Sequence, residues 1–222
     1  MKKNVAILFS GNGSNLERLI RQLHNKTFIP TCEIPRHESF FISGLKRGFR
    51  EARDNENGNK FSINVVLALS NKKNAYGVVR AQNHGILTIV CESKGKDRES
   101  FDIELVNILK EHDIELCVLA GFMRVLTPSF TNNFKTINIH PSLLPLYKGA
   151  NGIEDSFNSP MVLGGVSVHY VNEELDSGEI IAQGVIPKYQ SLEIYEEKIH
   201  ALEHFLYPFA LLEAVYRDIY GL

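Results

Sequence analysis

Val5-Ala6-Ile7-Leu8-Phe9-Ser10-Gly11-Asn12-Gly13-Ser14-Asn15-Leu16 is the stretch on which the fold is read. Five consecutive apolar residues, cut off by a glycine-rich turn, have the length and character of a strand buried on both faces. Asn15–His24 follows with helical spacing, so the segment reads strand, tight turn, helix. Gly11 and Gly13 let the backbone approach a ligand closely, and a helix start attracts negative charge. Ser14 and Asn15 add side-chain donors, and Asn12 lies between the glycines. A dinucleotide fingerprint needs a third glycine where Leu16 stands, and a nucleoside-triphosphate loop needs Gly-Lys-Ser/Thr, which is missing. A compact monophosphate suits this turn better, although glycine-rich strand-to-helix turns also occur as plain turns.

Working outward, Ile63–Leu69, Leu87–Val90, Leu116–Leu119, Thr136–Ile139, Val166–Val171 and Ile180–Val185 read as further strands. Ala75–His84 and Arg98–His112 read as helices between them. In the latter, Phe101, Leu105, Ile108, Leu109 and His112 share one face, with Asp97 and Ser100 as capping candidates at its start. Strand and helix in alternation predict an α/β protein: a Rossmann-like, mostly parallel sheet with helices on both faces. The last two strands, close together across Glu173–Gly178, predict an antiparallel edge. One segment breaks the rhythm. Thr27–Lys60, with two prolines and many basic residues, stands where a link of a few residues is usual. It reads as a surface excursion, with a small hairpin around Phe40–Ser43, inserted in a single domain covering residues 1–222.

Of 222 residues, 44% are hydrophobic and 23% charged, enough for a core without disulfides or metals. A net charge of −2 gives no reason to expect nucleic acid or a membrane surface as partner. Cys32, Cys91 and Cys117 lack metal-ligand spacing and read as reduced thiols of a cytoplasmic protein. The apolar run Val5–Phe9 is too short for an export signal.

Chemistry concentrates in Asn138-Ile139-His140-Pro141-Ser142-Leu143-Leu144-Pro145. On a strand, Asn138 and His140 project from the same face. Pro141 ends the ladder and leaves them at the mouth of the sheet, where open α/β sheets bind ligands. An amide donor can hold the oxyanion of a tetrahedral intermediate while an imidazole exchanges protons with an amine. Asp176, in a turn before the last strand, is a candidate third member. A carboxylate there would favour the protonated imidazole, but sequence alone does not bring the two together.

Ser-Gly-Asn-Gly-Ser-Asn-Leu at 10–16, Ala-Gly-Phe-Met-Arg-Val-Leu at 120–126, Asn-Ile-His-Pro-Ser-Leu-Leu-Pro at 138–145 and Ser-Val-His-Tyr-Val…Glu-Leu-Asp-Ser-Gly at 167–178 occur in one order. In that order they resemble the phosphoribosylglycinamide formyltransferases, over nearly the whole chain apart from Thr27–Lys60. The resemblance implies Asn138, His140 and Asp176 as catalytic residues. It implies Gly13, Ser14 and Asn15, helped by Gly11 and Asn12, as the cradle of the substrate phosphate, with Glu203 on the glycinamide amine. It implies Arg98, Met123, Arg124, Val125, Leu126, Asn138 and the loop Glu173, Glu174, Leu175, Asp176 as the site of 10-formyltetrahydrofolate. The expected partners are then two small molecules, glycinamide ribonucleotide and 10-formyltetrahydrofolate, with no metal, and the chain a monomer or homodimer. Asn151 and His200 depart from the family pattern, which often has histidine and glutamine at those places.

Rival readings attach to particular features. His200-Ala201-Leu202-Glu203-His204 matches an inverted zinc-peptidase pattern, but only Glu213 and Asp218 follow as further ligands. An amino-sugar-nucleotide formyltransferase would share Asn138, His140 and Asp176 without the Ser10–Asn15 loop. A formyltetrahydrofolate hydrolase would carry an additional N-terminal domain. A phosphometabolite-binding module would not need the catalytic trio.

Overall fold

The computed structural model describes all 222 residues, arranged as two compact units. The first comprises residues 1–28 and 60–138; the second comprises residues 29–59 and 139–222.

In the first unit, β1 (Lys2–Phe9) runs parallel to β5 (Phe61–Ser70) on one side and to β7 (Leu116–Leu119) on the other. Val5 through Phe9 are wholly buried, as a strand flanked on both edges and both faces requires. β6 (Leu87–Val90) extends the parallel set beyond β5, and β8 (Thr136–His140) lies parallel to β7 with Leu119 opposite Asn138. One antiparallel pairing joins this set: Lys26–Phe28, the start of β2 (Lys26–Thr31), against β5.

Among the helices of this unit, α1 (Ser14–Leu23) packs on α2 (Tyr76–Asn83), and both pack on β5. α3 (Arg98–Glu111) begins as expected, with Asp97 accepting from the Ser100 N–H at 2.9 Å, and it packs against the short α4 (Pro128–Thr131). Its buried face holds Phe101, Leu105 and Leu109, and also Asp102, a charged residue that periodicity alone would not place inside. One oxygen of the Asp102 carboxyl accepts the Thr127 N–H at 2.6 Å, while Oδ1 has no hydrogen-bond partner and burial pushes the carboxyl pKa up.

In the second unit, β9 (Leu163–Tyr170) and β10 (Ile180–Pro187) form the expected antiparallel pair. β3 (Phe41–Ser43) adds to the other side of β10, with Ile42 opposite Gly184. The expected small hairpin is a single antiparallel bridge between His37 and Phe40, and Phe41–Ser43 pairs instead with a strand far away in the chain. Pairing of three residues with a strand far away in sequence carries no local signal. α6 (Leu192–Tyr220) buries the stripe Tyr195, Ile199, Leu202 and Leu206, and from Leu206 onward is buried on most sides. It approaches the hairpin where side chains are missing: a Cβ on Gly164 would fall 1.7 Å from the Tyr195 hydroxyl oxygen. That hydroxyl is hydrogen-bonded to Ser156 on α5 (Gly152–Asn158).

Residues 29–59 contribute packing as well as surface. Leu45 is buried, as is Phe49 of β4 (Gly48–Glu51), and the Phe49 ring lies 5.7 Å from that of Tyr216. The Arg47 guanidinium stands over the Tyr216 ring at 4.6 Å, with its Nε 3.6 Å from the fully buried Glu213 carboxylate. Glu213 is also held by Arg217 at 2.8 Å. His37 and Phe40 stack at 4.1 Å, and both rings meet Phe205. No helix is long and apolar enough to cross a membrane.

Candidate active site

In the first unit, the Ser10–Asn15 turn is held from three directions. Ser10 is buried; its N–H donates to Gly121 O at 3.0 Å and its Oγ accepts the Met123 N–H at 2.8 Å. This ties the glycine-rich turn to the Gly121–Met123 segment. Gly13 occupies the cap position of α1 with φ of +78°, a conformation that favours glycine, and provides no side-chain acceptor for the helix start. A Cβ there would lie 2.6 Å from the Gly77 Cα, so the loop and the start of α2 touch backbone to backbone. Arg80, which sequence reasoning did not single out, donates to both the carbonyl and the side-chain oxygen of Asn12 at 3.0 Å each.

The residues that the resemblance implies for folate binding are mostly accessible. Arg98 is exposed at the first turn of α3, Met123 and Val125 are exposed, and Leu126 is buried. Arg124 is half-buried; its guanidinium stands 4.5 Å over the Phe101 ring and donates to Ser93 O at 3.4 Å. Asn138 is half-buried on β8.

In the second unit, the structure brings His140 and Asp176 together. The His140 ring, at the end of β8, is buried, with Nδ1 3.4 Å from Asp176 Oδ2 and Nε2 2.8 Å from the Tyr147 carbonyl oxygen. An acceptor therefore faces each ring nitrogen. Asp176 sits in the left-handed region with φ of +49°, a conformation to which aspartate and asparagine are well suited. Its Oδ2 accepts the Gly149 N–H at 2.9 Å, and its Oδ1 lies 3.6 Å from His169 Nε2. Burial pushes the Asp176 carboxyl up. The hydrogen bonds from His169 and Gly149 and the charges of the two histidines outweigh burial and hold it below the ordinary carboxylate range.

His169 is the member of this cluster that sequence reasoning did not assign. Its signal was available, since it lies on the strand leading into the Asp176 turn, but a buried histidine on a strand is more often a packing residue. The other loop residues, Glu173, Glu174 and Leu175, are exposed, and Glu174 pairs with Lys148 at 3.3 Å.

On α6, Glu203 is buried and its Oε2 lies 2.9 Å from His200 Nδ1. That hydrogen bond, followed by the nearby charges of Glu203 and Glu196, raises the His200 pKa against the opposing effect of burial. Two of the three residues of the zinc-peptidase pattern, His200 and Glu203, thus bond to one another. No group of three or more histidine, cysteine or acidic side chains stands where it could hold one metal ion.

The formyl transferase family model matches residues 38–211. Phosphoribosylglycinamide formyltransferase of Escherichia coli is 32% identical over 213 residues, covering 94% of this chain and 85% of that protein. The chain belongs to the phosphoribosylglycinamide formyltransferase family. The solved structure of phosphoribosylglycinamide formyltransferase from Campylobacter jejuni superposes with a TM-score of 0.80 at 43% identity, covering 97% of this chain and 98% of that one. That from Bacillus halodurans gives 0.76 at 32% identity, covering 99% and 98%. The trifunctional purine biosynthetic protein adenosine-3 of Chironomus tentans is 37% identical over 215 residues; the match covers 95% of this formyltransferase-family chain and 13% of that protein's length. The α/β formyltransferase fold expected from the sequence is the fold of these relatives.

Proposed function

We propose that this chain transfers the formyl group of 10-formyltetrahydrofolate to the amine of glycinamide ribonucleotide, giving formylglycinamide ribonucleotide in purine synthesis. One observation carries the chemistry: a buried imidazole, two residues beyond an asparagine on the same strand, with a buried carboxylate on one ring nitrogen and a carbonyl on the other. The names of the relatives supply the substrate.

The substrate amine attacks the formyl carbon. The carbonyl π pair moves onto oxygen, and the resulting oxyanion takes hydrogen bonds from the Asn138 amide and from the His140 Nε2–H, which exchanges the Tyr147 carbonyl for it while Nδ1 stays with Asp176. His140 relays a proton from the attacking nitrogen to the folate nitrogen, whose bond to carbon then breaks and releases tetrahydrofolate. Asp176 acts through the ring by stabilising its cationic form, and His169 and Gly149 hold Asp176 in turn. Gly11, Asn12, Gly13, Ser14 and Asn15 receive the phosphate, and Glu203 the amine. Arg98, the Met123–Leu126 segment and the Glu173–Asp176 loop receive the folate.

The test is a steady-state assay with glycinamide ribonucleotide and 10-formyl folate, run on the wild type and on His140→Ala. The wild type should turn over, and the variant should lose most of its activity with its fold intact. Near-normal turnover by the variant refutes the mechanism. Formylation of an amino-sugar nucleotide, or of water, in place of glycinamide ribonucleotide refutes the substrate.

A further inference from the structure

We propose that Arg80 is a positioning residue for substrate phosphate: its guanidinium fork sets the Ser10–Asn15 loop so that its carbonyls turn away and its N–H groups are presented to the anion. The inference rests on reading that loop as the phosphate cradle. It concerns only the first unit.

An anion site built from backbone needs more than glycines. Each peptide unit has a carbonyl as well as an N–H, and a carbonyl aimed at the phosphate would repel it. In this loop, three successive carbonyls are committed to donors on the two flanking helices. Gly11 O accepts the Gly77 N–H at 3.1 Å, at the start of α2. Asn12 O accepts from Arg80 Nε at 3.0 Å. Gly13 O accepts the Glu17 N–H at 2.9 Å, within α1. The middle commitment is the only one of the three made by a side chain. Arg80 reinforces it by donating from Nη2 to Asn12 Oδ1, also at 3.0 Å. With that oxygen occupied, the polar group left on the Asn12 side chain is its amino group, a donor.

Arg80 does not act as an anion ligand itself. Its remaining terminal nitrogen is paired with the Glu17 carboxylate, which also meets His84 Nε2 at 3.3 Å. Its guanidinium lies 5.0 Å over the Tyr76 ring. The charge is thus balanced and the plane fixed. What reaches the ligand is the conformation of Asn12, transmitted through a planar two-pronged contact that a lysine has no geometry to make.

The experiment compares Arg80→Ala, Arg80→Lys and Gly13→Ala with the wild type, after circular dichroism has shown native spectra. KM for glycinamide ribonucleotide, KM for 10-formyl folate, kcat and competitive inhibition by inorganic phosphate are measured for each. Arg80→Lys keeps a long aliphatic stem and a charge for Glu17, so it guards against a folding failure of the alanine variant. Both Arg80 variants should raise KM for glycinamide ribonucleotide by about tenfold or more and weaken phosphate inhibition in parallel. kcat should stay within about threefold and KM for the folate should not move. A normal KM for glycinamide ribonucleotide in Arg80→Lys overturns the proposal, and so does an equal fall of kcat for all three variants. If Gly13→Ala raises that KM and neither Arg80 variant does, the phosphate cradle stands and the role of Arg80 falls. If none of the three moves it, the cradle itself is wrong and the proposal goes with it.

Discussion

Replacing Asp176 by asparagine isolates what the carboxylate charge contributes. The substitution is nearly silent to the backbone, because asparagine accepts the left-handed conformation at φ of +49° as readily as aspartate. The Gly149 N–H, 2.9 Å from Oδ2, finds an amide oxygen in the same place. The charge is lost, together with the acceptor that Oδ1 presents to His169 Nε2 at 3.6 Å. At 3.4 Å from His140 Nδ1, a unit charge interacts with the imidazolium by about 5 kcal/mol at an effective dielectric constant of about 20. Only side-chain traces of the pair are exposed, 5% and 7%, so solvent relieves little of this. If the imidazolium carries the transition state, the loss corresponds to roughly a few thousandfold in kcat, at about 1.4 kcal/mol per decade. KM for glycinamide ribonucleotide should stay within about threefold, since Asp176 has no part in holding the phosphate or the amine. Steady-state assays at saturating folate, with thermal unfolding as the control for structure, would measure both quantities. A natively folded Asp176→Asn enzyme that loses less than tenfold in kcat would falsify the view that this carboxylate stabilises a charged His140 during transfer.

Two further outcomes follow from the same structure. The Asp176 carboxyl is held below its unfolded value, so the stability it provides is fully present above about pH 4 and is lost as pH falls through the depressed folded value. In urea titrations between neutral and acid pH, the stability gap between wild type and Asp176→Asn should narrow below about pH 4, and a gap that widens on acidification contradicts the assignment. Arg47→Met should destabilise the fold by about 2 kcal/mol, less than the usual cost of breaking a buried pair because Arg217 still holds Glu213 at 2.8 Å. Denaturant unfolding of that variant with an unchanged midpoint would show that residues 29–59 lie outside the cooperative core.

The divide between local and distant information runs through particular elements. β6 and β7 have the limits read from the sequence, β5 and the first three long helices lie within a residue or two of them, and β1 starts three residues earlier than read, at Lys2; for β5, β7 and the helices, burial on one or both faces imposes a period on the residues themselves. The Asp97 cap and the glycine at position 13 were legible for the same reason: a helix start and a left-handed turn each demand specific residue types within a few positions. β4, α4 and α5 were not legible, and of β3 only its extended character was, not its partner. They are too short to carry a period, and β3 exists only because β10 offers it an edge.

The site divides likewise. That Asn138 and His140 share a strand and that residues 10–15 turn into a helix are properties of consecutive residues, and the chain alone determines them. That Asp176 reaches His140, that His169 stands on the other side of it, that Arg80 grips Asn12 and that Glu213 is met by Arg47 are decided by tertiary structure. Contacts between residues far apart in the chain leave no mark on the sequence around either partner; only the packing of strands and helices determines which charged groups come within reach of each other.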